Sequence, residues 1–257
     1  MTGAPTVGLV IPAYRPDLEV LSRYIHELDE TIEPTTLRVE LDAPTEAARE
    51  RLAETPATVA PSEQRRGKGA AITAGFEALD TDILAFADAD GATPASEMHR
   101  IVEAVTAADV DLAVGSRRHP DASVEAEQSR ARGVMGDGFA WLARRLLDVS
   151  LYDYQCGAKA ITADAWEQVR DHLTEEGFAW DIELLAFAGA CDLRVREVPI
   201  TWHDHPDSTV PPVRTAVRFW MTLLRTRYRT ARHGPDSTAA GSDRPAILEN
   251  QSRNRNE

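Results

Sequence analysis

Two aspartates one residue apart, Asp88 and Asp90, close the apolar run Ile83-Leu84-Ala85-Phe86-Ala87 and are followed at once by Gly91-Ala92-Thr93-Pro94. Five apolar residues predict a buried strand, and a polar pair at the carboxyl end of such a strand falls where open α/β sheets hold ligands. The pleat is lost there, so both carboxylates can turn toward one point. Oxygen donors of this kind suit a hard divalent cation, Mg²⁺ or Mn²⁺, and such a cation suits a diphosphate. Thr93 and Pro94 predict a helix start, with threonine capping and proline in the first turn. A solvated acidic turn is the plain alternative to a ligand site.

A second chemical segment is Gln64-Arg65-Arg66-Gly67-Lys68-Gly69-Ala70-Ala71. It lacks the spacing of a P-loop, and the dinucleotide pattern Gly-x-Gly-x-x-Gly fails at Ile72. Two glycines around a lysine ahead of a helix still let backbone N–H groups and one ammonium meet a phosphate or a base. A flexible turn is the alternative. Lysine usage adds weight, because among 28 basic residues only Lys68 and Lys159 are lysines.

The elements that must position these groups alternate between strand and helix patterns from Val7 to about Pro199, which predicts the α/β class with a mostly parallel open sheet and helices on both faces. Thr6–Ile11 reads as the first strand, ended by Pro12-Ala13-Tyr14-Arg15-Pro16, and Asp17 caps the helix that follows. Leu37–Leu41 is a second strand ending at Asp42, with Thr45 capping the next helix. Asp111–Gly115 is a later strand, ending at Ser116-Arg117-Arg118. Successive strand ends thus carry Pro12 and Tyr14, Asp42, Asp88 and Asp90, and Arg117, and in a parallel sheet these line one edge. A single domain over residues 1–211 is expected.

Composition narrows the partners. The 257 residues carry a formal net charge of −14, which argues against nucleic acid. A dense carboxylate surface with lysine nearly excluded reads as adaptation to molar salt, where self-repulsion is screened; a GC-rich genome is the alternative. There is no run of 18 apolar residues and no signal peptide before the first strand, so a cytoplasmic location is expected. Cys156 and Cys191 form neither a disulfide framework nor a zinc site.

Residues 212–233 predict an amphipathic helix. Val213, Val217, Trp220, Leu224 and Tyr228 recur at helical spacing, with Arg214, Arg218, Arg225 and Arg229 one residue on. Such a helix reads either as membrane-surface binding, at the cytoplasmic face, or as a closing helix packed on the domain. At about 1 M salt the Debye length is only about 3 Å, so insertion of Phe219, Trp220 and Leu223 would have to dominate membrane attachment. Residues 234–257 are polar and predict a disordered tail.

Taken in order, Val10-Ile-Pro-Ala-Tyr14, Arg66-Gly-Lys-Gly-Ala70, Phe86-Ala-Asp-Ala-Asp-Gly-Ala-Thr93, Gly115-Ser-Arg117, Gln155-Cys-Gly-Ala-Lys159 and Phe178-Ala-Trp-Asp-Ile-Glu-Leu-Leu185 resemble family 2 glycosyltransferases of the GT-A fold. Within them the chain is most similar to the dolichyl-phosphate glucosyltransferase and mannosyltransferase group, over roughly residues 6–212. Trp202-His-Asp-His-Pro-Asp-Ser208 resembles that group's loop after the last strand. The resemblance implies an inverting, metal-dependent hexosyltransferase using Mg²⁺ or Mn²⁺. It would move a hexose, glucose favoured, from a nucleotide-diphospho-sugar (UDP-sugar favoured, GDP-sugar as alternative) to a polyprenyl (dolichyl) phosphate for protein glycosylation. By the same resemblance Asp88 holds the sugar or ribose and Asp90 ligates the metal, with Asp88 beside it. Pro12, Tyr14, Asp42 and Lys68 match donor-binding positions, while Arg117, Arg132 and Ser208 match the side facing the acceptor phosphate. Asp181 matches the usual base position. Two departures stand out: Leu41-Asp42 replaces two adjacent aspartates, and Thr209 stands where the group often has lysine.

The acceptor decides what Asp181 has to do. A phosphate monoester has a second pKa of about 6 and is already mostly dianionic at pH 7, so no proton need be removed before attack. Asp181 would then orient, whereas a glycan hydroxyl as acceptor would make it the base. Three rival readings follow from the residues: transfer to a lipid-linked glycan hydroxyl, a haloacid-dehalogenase-like phosphohydrolase built on Asp-x-Asp-Gly, and a non-catalytic sugar-nucleotide-binding relative.

Overall fold

The computed structural model describes residues 3–107, 109–125, 138, 141–203 and 212–231. The chain opens on β1 (Val7–Tyr14), whose Leu9, Val10 and Ile11 are sealed from water on both faces. Such a run suits the centre of a sheet covered by helices. Asp17 caps α1 (Leu18–Ile32) by accepting from the Glu19 and Val20 N–H groups at 3.0 and 3.1 Å, and Leu21, Tyr24, Ile25 and Leu28 form its buried stripe. Then come β2 (Thr36–Asp42), α2 (Glu46–Ala53) capped by Thr45, β3 (Thr58–Ser62) and α3 (Lys68–Glu77). They are followed by β4 (Ile83–Ala87), α4 (Ala95–Thr106), β5 (Leu112–Ser116) and β6 (Ser123–Glu125). After a helical segment at residues 141–146 the chain forms β7 (Ala158–Thr162), α5 (Ala163–Val169), α6 (Trp180–Ala190), β8 (Val195–Pro199), β9 (Thr201–His203) and α7 (Pro212–Thr230).

Seven strands make one sheet in the order β3-β2-β1-β4-β7-β5-β8. All neighbours are parallel except β7, which runs antiparallel between β4 and β5. A separate parallel pair joins β6 to β9. Helices α1, α2 and α4 cover one face of the large sheet, and α3, α5, α6 and α7 contribute apolar side chains to the other. The α/β sheet with two helical layers is the architecture the sequence pattern predicts. β3 has no clear pattern: its Pro61 cannot donate to a ladder, which confines such a strand to the sheet edge where it lies. One local expectation is corrected at α4. Pro94 itself stands at the N-cap, without a side-chain cap, and its carbonyl accepts from the Glu97 and Met98 N–H groups at 3.0 Å each.

One residue of the expected inserting set is corrected in the last helix. Leu223 is fully buried, with Thr222, Thr226 and Thr230 beside it and Phe219 half-buried on the same core. Leu223 therefore belongs to the domain and not to a membrane contact. Trp220, Leu224 and Tyr228, one helical turn apart, remain exposed. Arg229 leaves the expected basic stripe as well, since its guanidinium reaches inward to the buried Glu183 of α6. Residues 232 and 233 of the expected helix and the tail 234–257 lie outside the described residues.

Removing one partner of a buried ion pair leaves the other charge stranded, at about 3 kcal/mol or more. Arg229→Met is expected to lower unfolding stability by about that amount in urea titrations. The exposed Arg225→Met is expected to change it by less than about 0.5 kcal/mol.

Candidate active site

The ends of β1 and β2 lie side by side, with Tyr14 opposite Asp42 in the ladder. Tyr14 is partly exposed and the Arg65 guanidinium sits over its ring, 4.2 Å from the centroid. Pro12 lies two residues inside the same strand end. Asp42 is buried and looks inward. One oxygen accepts from Arg66 Nε at 2.8 Å, and the other accepts from the Arg66 and Gly67 N–H groups at 2.8 and 3.0 Å. Arg66 also reaches the buried Glu40 at 2.9 Å. Asp42 therefore pins the loop that carries Lys68.

That loop is held from above as well. The Ala70 N–H donates to the Glu176 carbonyl at 3.1 Å. At Gly67, with φ of 107°, an added Cβ would stand 2.4 Å from the same carbonyl. Only glycine allows the two backbones to meet there. The segment above is clamped by Glu183, which accepts from the Thr174 and Glu175 N–H groups at 2.6 and 2.7 Å.

So fixed, Lys68 aims its ammonium at the end of β4. Its Nζ lies 2.8 Å from Asp88 Oδ1 and 3.4 Å from Asp181 Oδ2. Asp181, buried in the first turn of α6, receives a second ammonium on its other oxygen: Lys159 Nζ is 2.6 Å from Oδ1. Burial works to raise the Asp181 carboxyl, but Lys159 and then Lys68 outweigh it and hold it below the ordinary carboxylate range. Burial works against the Lys68 ammonium, yet Asp181 and Asp88 push its pKa up. Asp88 is raised by burial and by Asp90, with Lys68 opposing. Its N–H donates to the Gly157 carbonyl at 2.9 Å, and a Cβ at Gly157 would lie 1.8 Å from Asp88 Oδ2. Asp90 is exposed, and its Oδ1 accepts from the Ala92 N–H at 3.0 Å. Behind this turn the Tyr24 hydroxyl donates to the Thr93 carbonyl at 2.6 Å.

Arg117, just past the end of β5, is half-buried in an ion pair with the buried Asp153. Its Nε and Nη2 donate to the two oxygens of Asp153 at 2.7 and 3.0 Å, and its backbone N–H adds a contact at 3.2 Å. Asp153 is itself pinned through its N–H by Glu197 at 2.8 Å. Burial would raise the Asp153 carboxyl, but Arg117 brings it down to about 2. Arg117 thus sits at the site with its charge already balanced, close enough to Asp88 to feel that carboxylate. Arg132, Ser208 and the loop 204–210 lie outside the described residues.

The structure therefore brings Lys68, Asp88, Asp90 and Asp181 together, with Tyr14 and Asp42 at one end of the row and Arg117 at the other. Sequence reading missed Lys159, Asp153, Gly157 and Glu183 as supports. Lysine scarcity is a signal for Lys159, while nothing local marks Asp153 or Glu183. Two hard carboxylates at one strand end fit a divalent cation that takes its remaining ligands from a diphosphate and water. Among the described residues no group of three or more His, Cys, Asp or Glu is placed to hold a metal alone.

Solved structures share this architecture. Glucosyl-3-phosphoglycerate synthase from Mycobacterium tuberculosis, in complex with Mn²⁺, UDP and glucosyl-3-phosphoglycerate, matches with a TM-score of 0.69 at 18% identity, over 91% of this chain and 82% of that one. Mannosyl-3-phosphoglycerate synthase from Rubrobacter xylanophilus matches at 0.67 and 15% identity, over 95% and 79%. The fold is that of the GT-A glycosyltransferases. The model described as Glycosyl transferase family 2 matches residues 9–165, and the chain belongs to that family.

Curated relatives are similar over about two thirds of the chain. Glycosyltransferase AglD of Haloferax volcanii is 36% identical over 165 residues, 64% of this chain and 26% of AglD. The dolichyl-phosphate beta-glucosyltransferase of Dictyostelium discoideum is 28% identical over 171 residues, covering 65% and 52%, and the human one 29% over 174, covering 65% and 54%. The chain thus spans about a quarter of AglD and about half of the other two.

Gly157→Ala is expected to displace the Asp88 carboxylate from Lys68 and to lower unfolding stability in urea titrations while leaving the circular-dichroism spectrum unchanged. The Arg117–Asp153 pair has a pH signature. A carboxyl held at about 2 when folded stabilises fully above its unfolded value of about 4, and that stability is lost as the pH falls through about 2. The difference in urea midpoint between the parent and Asp153→Asn is expected to be flat near neutrality and to shrink toward pH 2.

Proposed function

We propose that the chain is the catalytic unit of an inverting glycosyltransferase that moves a hexose, glucose favoured, from a UDP-sugar to a polyprenyl phosphate of the dolichyl type. The observation that carries this reading is the acidic pair Asp88 and Asp90 at the end of β4, with the Lys68 ammonium 2.8 Å from Asp88. Relatives whose names specify dolichyl-phosphate beta-glucosyltransferase support the acceptor and the sugar. A structural neighbour solved with UDP and Mn²⁺ supports the donor class.

In this reading Pro12 and Tyr14 border the nucleotide, and Asp42 acts on it through the Arg66–Gly67 loop that it pins. Asp88 holds the sugar or ribose, and Asp90, with Asp88 beside it, would hold Mg²⁺ or Mn²⁺. A cation bound there would stabilise the negative charge that develops on the leaving diphosphate. Lys68 adds a fixed positive charge beside the donor. Arg117, with Arg132 and Ser208, serves the acceptor phosphate.

A phosphate acceptor is favoured over a glycan hydroxyl by the state of Asp181. Each of its oxygens already faces an ammonium, and its carboxyl is held below the usual range. Such a group is a poor base, and a phosphate dianion requires none. The exposed Trp220, Leu224 and Tyr228 of α7 support a peripheral position at a membrane surface, where a polyprenyl acceptor resides. No described helix is long and apolar enough to cross a membrane.

The test is a panel of labelled UDP- and GDP-sugars with dolichyl phosphate, Mg²⁺ or Mn²⁺, and high salt. Label is expected in the organic phase with UDP-glucose, and both Asp90→Ala and chelation by EDTA are expected to remove it. No transfer from any donor, or an Asp90→Ala variant as active as the parent, would overturn the reading.

A further inference from the structure

The two lysines of the chain, 91 positions apart in sequence, meet on one carboxylate. Lys159 is 1% exposed, and its Nζ lies 2.6 Å from Asp181 Oδ1 and donates to the Cys156 carbonyl at 2.7 Å. Lys68 Nζ faces the other Asp181 oxygen at 3.4 Å and Asp88 at 2.8 Å. Both ammoniums stand over the ring of Phe86, 5.3 and 5.5 Å from its centroid. Every other basic residue in the chain is arginine. A compact ammonium suits a site closed by a carbonyl, a carboxylate and an aromatic ring, whereas the planar guanidinium fork needs more room.

We propose that Lys159 and Asp181 are positioning residues for the donor site. Lys159 balances one oxygen of Asp181, and Asp181 then holds Lys68 where it grips Asp88. The proposal rests on the reading of Asp88 as a donor-binding residue and extends it to two groups behind the site. The physical argument concerns sharing of charge. A buried carboxylate facing two ammoniums pulls each less than it would pull one alone. Without Lys159, Lys68 becomes the sole cation for a buried anion, which draws it toward Asp181 and away from Asp88. Asp88, beside Asp90, then loses the cation that balances it. A Lys159 that only ties β7 to α6 would affect stability and leave Lys68 where it is.

Because the chain has two lysines, protein labelled with ¹³C at lysine Cε gives two signals, one from each residue of the network. In Lys159→Met the remaining Lys68 signal is expected to move from its parent position, and in Asp181→Asn both signals are expected to move. Binding of UDP with Mn²⁺, measured by calorimetry, is expected to weaken about 10- to 100-fold in each variant, as for groups that orient a ligating carboxylate. In the transfer assay the donor KM is expected to rise and the acceptor KM to stay unchanged. Asp181→Asn nearly preserves volume and carries the same readouts if Lys159→Met does not fold. A Lys68 signal and a UDP–Mn²⁺ affinity both unchanged in a folded variant would overturn the proposal. If the parent transfers no sugar or binds no UDP, the proposed function fails, and the lysine signals still decide the network.

Discussion

A carboxylate buried between a sheet and a helix is stable only if cations reach it, and Asp181 is such a group. It draws Lys159 from β7 and Lys68 from the start of α3, so three elements distant in sequence meet at one point. The antiparallel position of β7 is what makes this possible. Inserted beside β4, it places Lys159 opposite Phe86 in the ladder and the Gly157 carbonyl against the Asp88 N–H. The acidic pair at the end of β4 is therefore held from behind by hydrogen bonding and from the side by charge.

The same logic of acids and backbone donors organises the surrounding loops. Asp42 collects the N–H groups of Arg66 and Gly67, Glu183 those of Thr174 and Glu175, and Glu197 those of Tyr152 and Asp153. Each satisfies donors that irregular backbone would otherwise leave without a partner in the protein. Each also fixes a loop that borders the site. Arg229 brings the last helix into this system through Glu183, so α7 closes the domain with one face and leaves Trp220, Leu224 and Tyr228 exposed on the other.

Much of the frame was legible from the chain itself. Apolar runs of strand length, Asp17 and Thr45 as caps, and acids clustered at strand ends predict an α/β sheet with a diphosphate-type site at one edge. Local chemistry suffices for these features because burial and capping depend on residues only a few positions apart. The edge strand β3 has no legible pattern because Pro61 breaks it, and the cap of α4 lies one residue beyond Thr93 because Pro94 supplies its carbonyl without a side chain.

What the sequence alone determined is the class of chemistry: carboxylates at the end of β4, one lysine between glycines, and arginine almost everywhere else. Only the tertiary structure decided how those charges are matched. Arg117 carries Asp153 as a partner that no local pattern marks, and Leu223 reads as a membrane contact until the core closes over it. Lys159 and Asp181 lie 22 positions apart with no local sign of partnership, yet they are 2.6 Å apart in space. Spacing along a chain reports neighbours within a turn or a strand. The matching of buried charges is set by which strands pair and which faces pack, and those contacts form across the whole fold.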